Sequence, residues 1–145
     1  MAGIYTIDAS VFVNAFLPHE RDHGQSRQLI DRIVAGGWLI VAPTLLLVEI
    51  AAALSRATRE PELARQLATT VALLPHVSLL PLDRNLADES SAIAAERRLR
   101  ASDAVYGAVA LRFASLLVTR DREQLERLTP LVATRSPTEA LAELS

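Results

Sequence analysis

The chain has 145 residues, half of them hydrophobic, and a formal net charge of −2. These values predict one domain with a substantial core and exclude the strong overall basicity of many nucleic-acid-binding domains. The absence of cysteine excludes disulfides, thiolate metal sites and a cysteine nucleophile. The N-terminus has no basic region and carries Asp8 within its apolar run, so no signal peptide is predicted. The longest apolar stretch, 38–54, contains Pro43 and Glu49, so no membrane span is predicted. We therefore expect a single cytoplasmic domain over residues 1–145.

Strand-like and helix-like segments alternate along the chain. Apolar runs bounded by stop signals predict strands at 4–7, 38–42, 77–82, 116–119 and 131–134. Helical periodicity and capping residues predict helices at 11–17, 25–35, 44–57, 61–74 and 84–98, one opening at 101, and two more at 122–128 and 137–144. This alternation predicts an α/β fold whose parallel sheet is covered by helices on both faces.

Four acidic residues stand where such a sheet would bring them together. Asp8 and Asp121 each follow a predicted strand, and Asp103 lies at the start of a helix. Glu49 is the only ionisable residue within the apolar run 45–54. In an open α/β sheet, ligands bind at the carboxyl ends of the strands. Two carboxylates ~4 Å apart repel each other by about 4 kcal/mol at an effective dielectric constant of 20. A convergent set therefore favours Mg²⁺ or Mn²⁺, which prefer carboxylate oxygen.

Each acid also has a structural interpretation. Asp103 could cap the helix that opens at 101, although no Glu or Gln three residues later completes a capping box. Asp8 stands where an N-cap would stand, directly before a helix. Asp121 forms a capping box with Gln124, which favours a cap on local grounds. Glu49 could form a structural ion pair with an arginine, although a charged ligand explains an acid in so apolar a helix better.

Arginine supplies all 15 basic residues, since the chain contains no lysine. Arg97, Arg98 and Arg100 form a cluster at the end of a predicted helix. They either stabilise that helix C-terminus or contact phosphate. Arg56 lies in the same predicted helix as Glu49 and is either solvated or within reach of phosphate.

Four motifs stand in a characteristic order along the chain: Ile7-Asp8-Ala9-Ser10, Glu49 in its apolar helix, Ala101-Ser102-Asp103-Ala104 and Leu117-Val118-Thr119-Arg120-Asp121. Together they resemble the motifs of the PIN-domain ribonucleases, and most closely those of the VapC-type toxins of toxin–antitoxin systems. The resemblance covers essentially the whole chain. It implies a three-layer α/β/α PIN-like fold with a parallel sheet of about five strands.

The resemblance also implies an activity and partners. It implies a Mg²⁺- or Mn²⁺-dependent endoribonuclease that hydrolyses RNA, is inhibited by a cognate antitoxin and forms a homodimer. By motif, the catalytic and metal-binding roles fall to Asp8, Glu49, Asp103 and Asp121, with Ser10 and Thr119 near the site.

Two other classes of function remain open on the sequence. An aspartyl-phosphate phosphatase or phosphotransfer domain would use Asp8 as its nucleophile. Such enzymes generally place a lysine on the phosphoryl group, and the phosphatases usually have a second aspartate where this chain has Ser10. A non-catalytic module would use the acids only to cap helices or to bind an arginine of a partner. That interpretation suits Asp121 and suits Glu49 poorly. Metal-dependent cleavage of RNA would distinguish the three classes.

Overall fold

Five parallel strands form the centre of the molecule. The computed structural model describes residues 3–144. Its strands are β1 (Ile4–Ile7), β2 (Leu39–Pro43), β3 (Val77–Leu80), β4 (Leu116–Val118) and β5 (Thr134–Arg135). They are arranged in the order β3-β2-β1-β4-β5, and every pairing is parallel. In the register of the sheet, Tyr5 pairs with Ile40 on one side and with Leu116 on the other.

Helices connect the strands and cover the sheet. They are α1 (Ala9–Phe16), α2 (His23–Gly36), α3 (Leu45–Thr58), α4 (Pro61–Ala72), α5 (Arg84–Arg97), α6 (Ala101–Phe113), α7 (Arg122–Leu128) and α8 (Pro137–Glu143). Helix α1 packs against α2 and α3, α3 against α4, α5 against α6, and α2 against α8. Helix α6 also lies along β1, β2 and β4. These elements confirm the predicted three-layer α/β/α class.

The core lies along the central strands. Ile7, Ile40 and Leu117, one from each of β1, β2 and β4, are fully buried, whereas the two edge strands are partly exposed. A parallel sheet with helices on both faces needs apolar residues on both sides of its central strands, and these strands have them. No helix within residues 3–144 is long and apolar enough to cross a membrane.

The strand order places a switch point beside β1. The chain leaves β1 for β2 and β3 on one side, and later returns to β4 on the other side. The connections that follow β1 and β4 therefore diverge, which opens a crevice outside the carboxyl ends of these two strands. Asp8 directly follows β1, and Thr119 directly follows β4.

The last strand differs from its prediction. We expect a strand at 131–134 from the sequence, but β5 contains only Thr134 and Arg135. The amides of Leu131 and Val132 instead donate hydrogen bonds to the carbonyl group of Leu128 and close a turn after α7. An apolar pair of residues can be buried in a turn as well as in a strand, so composition alone cannot distinguish a turn from a strand here.

Candidate functional site

The four predicted acids line one cleft at the carboxyl edge of the sheet. Asp8 comes from the end of β1, Glu49 from α3, Asp103 from the first turn of α6, and Asp121 from the loop after β4. The cleft has a volume of about 730 Å³. Its other polar lining residues are Ser10, Glu20, Arg56, Arg100, Ser102, Arg120 and Gln124. Four segments that are far apart in sequence thus contribute a carboxylate to one concave surface.

Hydroxyl groups hold the carboxylate of Asp8. Oγ of Ser10 donates to Oδ2 of Asp8 at 2.6 Å, and Oγ1 of Thr119 donates to the same oxygen at 3.0 Å. Asp8 occupies the N-cap position of α1, but its side chain makes no capping hydrogen bond with good geometry. The backbone N–H of Ser10 also favours the charged form, more weakly than the two hydroxyl groups. Capping therefore does not explain this residue.

Glu49 is held by residues of α6. The hydroxyl group of Tyr106 donates to Oε1 of Glu49 at 2.6 Å, and Ser102 provides a further hydrogen bond. Among residues 3–144, no arginine forms an ion pair with Glu49, so the alternative of a structural ion pair is wrong. Its side chain is only partly buried and faces the cleft.

Gln124 connects two of the acids. Its backbone N–H donates to Oδ1 of Asp121 at 3.0 Å, which confirms the predicted cap of α7. The predicted capping box is nevertheless incomplete. The side-chain Nε2 of Gln124 donates to Oδ1 of Asp103 at 2.8 Å, and the N–H of Asp121 donates to Oγ1 of Thr119 at 3.0 Å. Asp121 therefore caps a helix and lines the cleft at once, and the two interpretations do not exclude each other.

Arg100 pairs with the acids at one end of this set. Its Nε lies 3.1 Å from Oδ2 of Asp103, and its Nη2 donates to Oδ2 of Asp121. Of the three arginines in the predicted cluster, Arg100 lines the cleft, whereas Arg97 and Arg98 do not belong to its lining.

Burial favours the protonated forms of three acids, and repulsion by neighbouring carboxylates adds to this effect for two of them. Burial is the largest cause that raises the pKa of Asp8, of Glu49 and of Asp103 above the ordinary values. The charge of Asp8 raises the pKa of both other groups as well, and the charge of Asp121 acts on Asp103. Hydrogen bonds from hydroxyl groups and from Arg100 offset part of this effect. A divalent cation would remove the repulsion.

The donor set fits a hard divalent cation. Carboxylate oxygens of Asp103, Asp121 and Glu123 all lie within 4.8 Å of one another. Asp8 and Glu49 lie outside this compact group but line the same cleft. Oε1 of Gln124 is buried without a hydrogen-bond partner in the described part of the chain, which leaves an acceptor for a water that such a cation would retain. Carboxylate oxygens without thiolate or imidazole suit Mg²⁺ or Mn²⁺.

Comparison with known families identifies the fold. The sequence model described as the PIN domain matches residues 5–129, most of the chain. The chain belongs to the PIN-domain family. No curated protein matches it significantly.

Solved structures agree with this PIN fold. PAE2754 from Pyrobaculum aerophilum has a TM-score of 0.71 at 24% identity, over 97% of this chain and 93% of that one. VapC20 from Mycobacterium tuberculosis, described as a toxin that cleaves the sarcin-ricin loop, has a TM-score of 0.69 at 18% identity, over 84% and 93%. VapBC2 from Rickettsia felis, bound to a DNA fragment from its promoter, has a TM-score of 0.70 at 12% identity, over 92% and 98%. Because the sequence identities are this low, these similarities establish the fold and nothing more.

The sequence did not single out two residues that lie against the acids of the PIN-domain cleft. Glu123, two residues after Asp121, completes the compact acidic group, and Tyr106 orients Glu49. Tyr106 has no distinguishing signal, because a tyrosine within the apolar pattern of α6 is typical of any buried helix. Glu123 was only weakly indicated as a site residue, because an acid in the first turn of a helix is common for electrostatic reasons alone.

Proposed function

We propose that this PIN domain is a Mg²⁺- or Mn²⁺-dependent endoribonuclease that acts as the toxin of a toxin–antitoxin pair. One observation carries the proposal. Asp8, Glu49, Asp103 and Asp121 come from four separate segments and line one cleft at the switch point of the sheet. Carboxylates this concentrated repel each other, and helix capping alone would not require them to converge.

The acids have different roles in this proposal. Asp8, Asp103 and Asp121, with Glu123 beside them, would hold the cation, whose chemistry is to polarise a phosphodiester and to activate water. Glu49 is partly exposed in the cleft, and its raised pKa suits a group that accepts a proton from an attacking water. The hydroxyl groups of Ser10 and Thr119 would keep the carboxylate of Asp8 in place.

Arginines supply the positive charge that RNA would need at this acidic surface. Arg56, Arg100 and Arg120 line the cleft. Arg120 donates from Nη2 to the carbonyl oxygen of Arg21 at 3.1 Å, which ties it to the loop before α2. Planar guanidinium groups bind phosphate through two parallel hydrogen bonds.

The proposed partners are a cognate antitoxin and a second copy of this chain, and the proposed location is the cytoplasm. Among structures with the same fold, the Rickettsia felis one is described as a VapBC2 complex on promoter DNA. An antitoxin arginine placed in the cleft would make charge-assisted hydrogen bonds to the carboxylates and would compete with the cation.

The decisive experiment is cleavage of total RNA with and without Mg²⁺, followed by mapping of the cut ends. We expect cuts at defined sites that require Mg²⁺ or Mn²⁺ and disappear in Asp8→Asn. The matched control is Asp88→Asn, because Asp88 forms an exposed pair with Arg84 on α5, away from the cleft. Cleavage that persists in EDTA, or in Asp8→Asn, would contradict the proposal.

The proposed partners are tested separately. We expect the product of a neighbouring gene to bind the protein and to inhibit cleavage, and we expect sedimentation to show a dimer at micromolar concentration. A neighbouring product that neither binds nor inhibits would remove the toxin–antitoxin assignment and leave the nuclease assignment in place. A stable monomer in the sedimentation experiment would contradict the proposed homodimer.

A further inference from the structure

Arg100 lies against the compact acidic group formed by Asp103, Asp121 and Glu123. Its Nε lies 3.1 Å from Oδ2 of Asp103 and 3.9 Å from Oε2 of Glu123, and its Nη2 donates to Oδ2 of Asp121. These three acids are the same ones whose carboxylate oxygens lie within 4.8 Å of one another. One guanidinium group therefore contacts every member of the set that best fits a cation.

A guanidinium group and a divalent cation compete for these oxygens. Oδ2 of Asp103 and Oδ2 of Asp121 each accept a hydrogen bond from Arg100, and two positive groups a few ångströms apart repel each other. The side chain of Arg100 is 64% exposed, so it can move into water without disturbing the core. The guanidinium end of all three pairs is in contact with water, which weakens each pair, although the side chain of Asp103 is only 7% exposed. A divalent ion brings twice the charge to the same oxygens.

We propose that Arg100 is an internal counter-ion that exchanges with the divalent cation. It neutralises Asp103, Asp121 and Glu123, competes with the cation for their oxygens, and moves towards the mouth of the cleft when the cation binds. The released guanidinium group can then contact a phosphodiester. Because RNA would draw Arg100 away from the acids, RNA binding strengthens cation binding, and by linkage the reverse holds. This inference rests on the metal site of the proposed function.

Two other arginines provide matched controls. Arg56 lines the same cleft and carries the same charge, but within residues 3–144 it forms no ion pair. Removing it tests the long-range effect of one positive charge alone. Arg112 lies on α6, the helix that begins directly after Arg100, but its Nε and Nη2 donate to Glu89, and neither Arg112 nor Glu89 lines this cleft.

The first test is titration with Mn²⁺ alone, followed by electron paramagnetic resonance, on wild type, Arg100→Gln and Arg56→Gln without RNA. We expect Arg100→Gln to bind Mn²⁺ about fivefold more tightly than wild type, the equivalent of one exposed ion pair at the upper end of its range. Arg56→Gln should bind Mn²⁺ with nearly the affinity of wild type, tighter by less than a factor of two. The gain in Arg100→Gln should shrink at high salt, because salt screens exposed pairs. Thermal melts in EDTA confirm that both variants fold.

The outcomes separate this inference from the proposed function. If wild type binds Mn²⁺ and the two variants change its affinity equally, Arg100 acts only through long-range charge, and the exchange is overturned while the metal site stands. If neither wild type nor Arg100→Gln shows saturable binding, the metal site of the proposed function is overturned, and the exchange with it.

The second test observes the guanidinium group directly. The Nε–H resonance of Arg100, assigned by its loss in Arg100→Lys, is followed by NMR during titration with Mg²⁺. We expect it to shift and to broaden through faster exchange with water, while the Nε–H resonance of Arg112 stays unchanged. An Arg100 resonance that keeps its position once the Asp103 amide has saturated would overturn the exchange.

Discussion

The hydroxyl group of Tyr106 donates a hydrogen bond of 2.6 Å to Oε1 of Glu49 and joins α6 to α3 across the cleft. Tyr106 is fully buried, so its hydroxyl group has a fixed position. The bond favours the charged carboxylate of Glu49, against the burial and the neighbouring acids that favour the protonated form. Tyr106 is therefore a positioning residue that also favours the charged form of Glu49.

Tyr106→Phe should lower cleavage about tenfold, the equivalent of one hydrogen bond to a charged group at the low end of its range. The pKa of Glu49 should rise further, because the lost bond was lowering it. The acid limb of the pH–rate profile should therefore move to higher pH. The control is Tyr5→Phe, which removes a hydroxyl group from a buried tyrosine beside Trp38, outside the cleft. An unshifted profile in Tyr106→Phe would assign the bond to packing alone.

Replacing an acid by its amide should separate stability from metal binding. Without metal, Asp8→Asn and Asp103→Asn should be as stable as wild type or more stable, because burial disfavours both carboxylates and neighbouring charges also disfavour that of Asp103. Wild type should gain about 2.7 kcal/mol when Mg²⁺ is at a hundredfold excess over its Kd, and the variants much less. Thermal melts with EDTA and with Mg²⁺ measure this difference. Equal gains in wild type and both variants would exclude these acids as ligands.

Two substitutions of Asp121 distinguish the cap from the ligand. Asp121→Asn keeps an oxygen for the N–H of Gln124, so α7 should stay capped. Asp121→Ala should cost about 1 kcal/mol of unfolding free energy through loss of the cap. If Asp121 also holds the cation, both variants lose the stabilisation by Mg²⁺. A response to Mg²⁺ that survives in Asp121→Asn would restrict Asp121 to capping.

Metal-free stability should depend on pH in an unusual direction. A carboxyl group whose pKa is raised on folding binds its proton more tightly in the folded protein, so stability falls as pH rises through that pKa. The pKa values of Asp8, Glu49 and Asp103 are raised. We therefore expect the melting temperature in EDTA to rise as the pH is lowered from neutral towards the ordinary pKa of these carboxyl groups, about 4. Below that range Glu139 opposes the trend, since its pKa is lowered and its stabilisation is lost with acid.

The pH measurement needs a reference, because the chain also contains three histidines. Asp8→Asn keeps all three histidines, so the difference between wild type and this variant reports the carboxyl group of Asp8 together with its effect on Glu49 and Asp103. We expect the difference in melting temperature, variant minus wild type, to grow as pH rises. A constant difference across the range would show that the pKa of Asp8 is not raised.

The arginine cluster makes a prediction for RNA binding. Replacing Arg97, Arg98 and Arg100 together by Gln should weaken binding at all sequences alike. It should also reduce the slope of log K against log salt by about two, at roughly 0.7 per phosphate contact on single strands. The Asp8→Asn background keeps the RNA intact during the titration. A double variant that retains Arg100 measures how much of the change in slope is due to Arg97 and Arg98, which do not line the cleft. An unchanged slope in the triple variant would mean that the cluster only stabilises the C-terminus of α5.

Much of the fold could be predicted from the sequence because its signals are local. The apolar runs of the central strands, and caps such as the completed box of Ser136 and Glu139, involve residues only a few positions apart. The edge strand β5 was misplaced because two residues at the border of the sheet carry too little apolar pattern to identify it. Those signals, together with the ordered acidic motifs, also pointed to the PIN-domain family.

The sequence by itself determined which acids lie at the ends of strands and starts of helices, since helix and strand periods follow from backbone geometry. Only the tertiary structure decided which groups hold those acids. Glu49 and Tyr106 are 57 residues apart, and Asp8 and Thr119 are 111 apart. Arg100 reaches Asp121 across 21 residues of chain. Contacts at such separations depend on how each helix is rotated and seated against the sheet, and the packing of the whole core determines that arrangement.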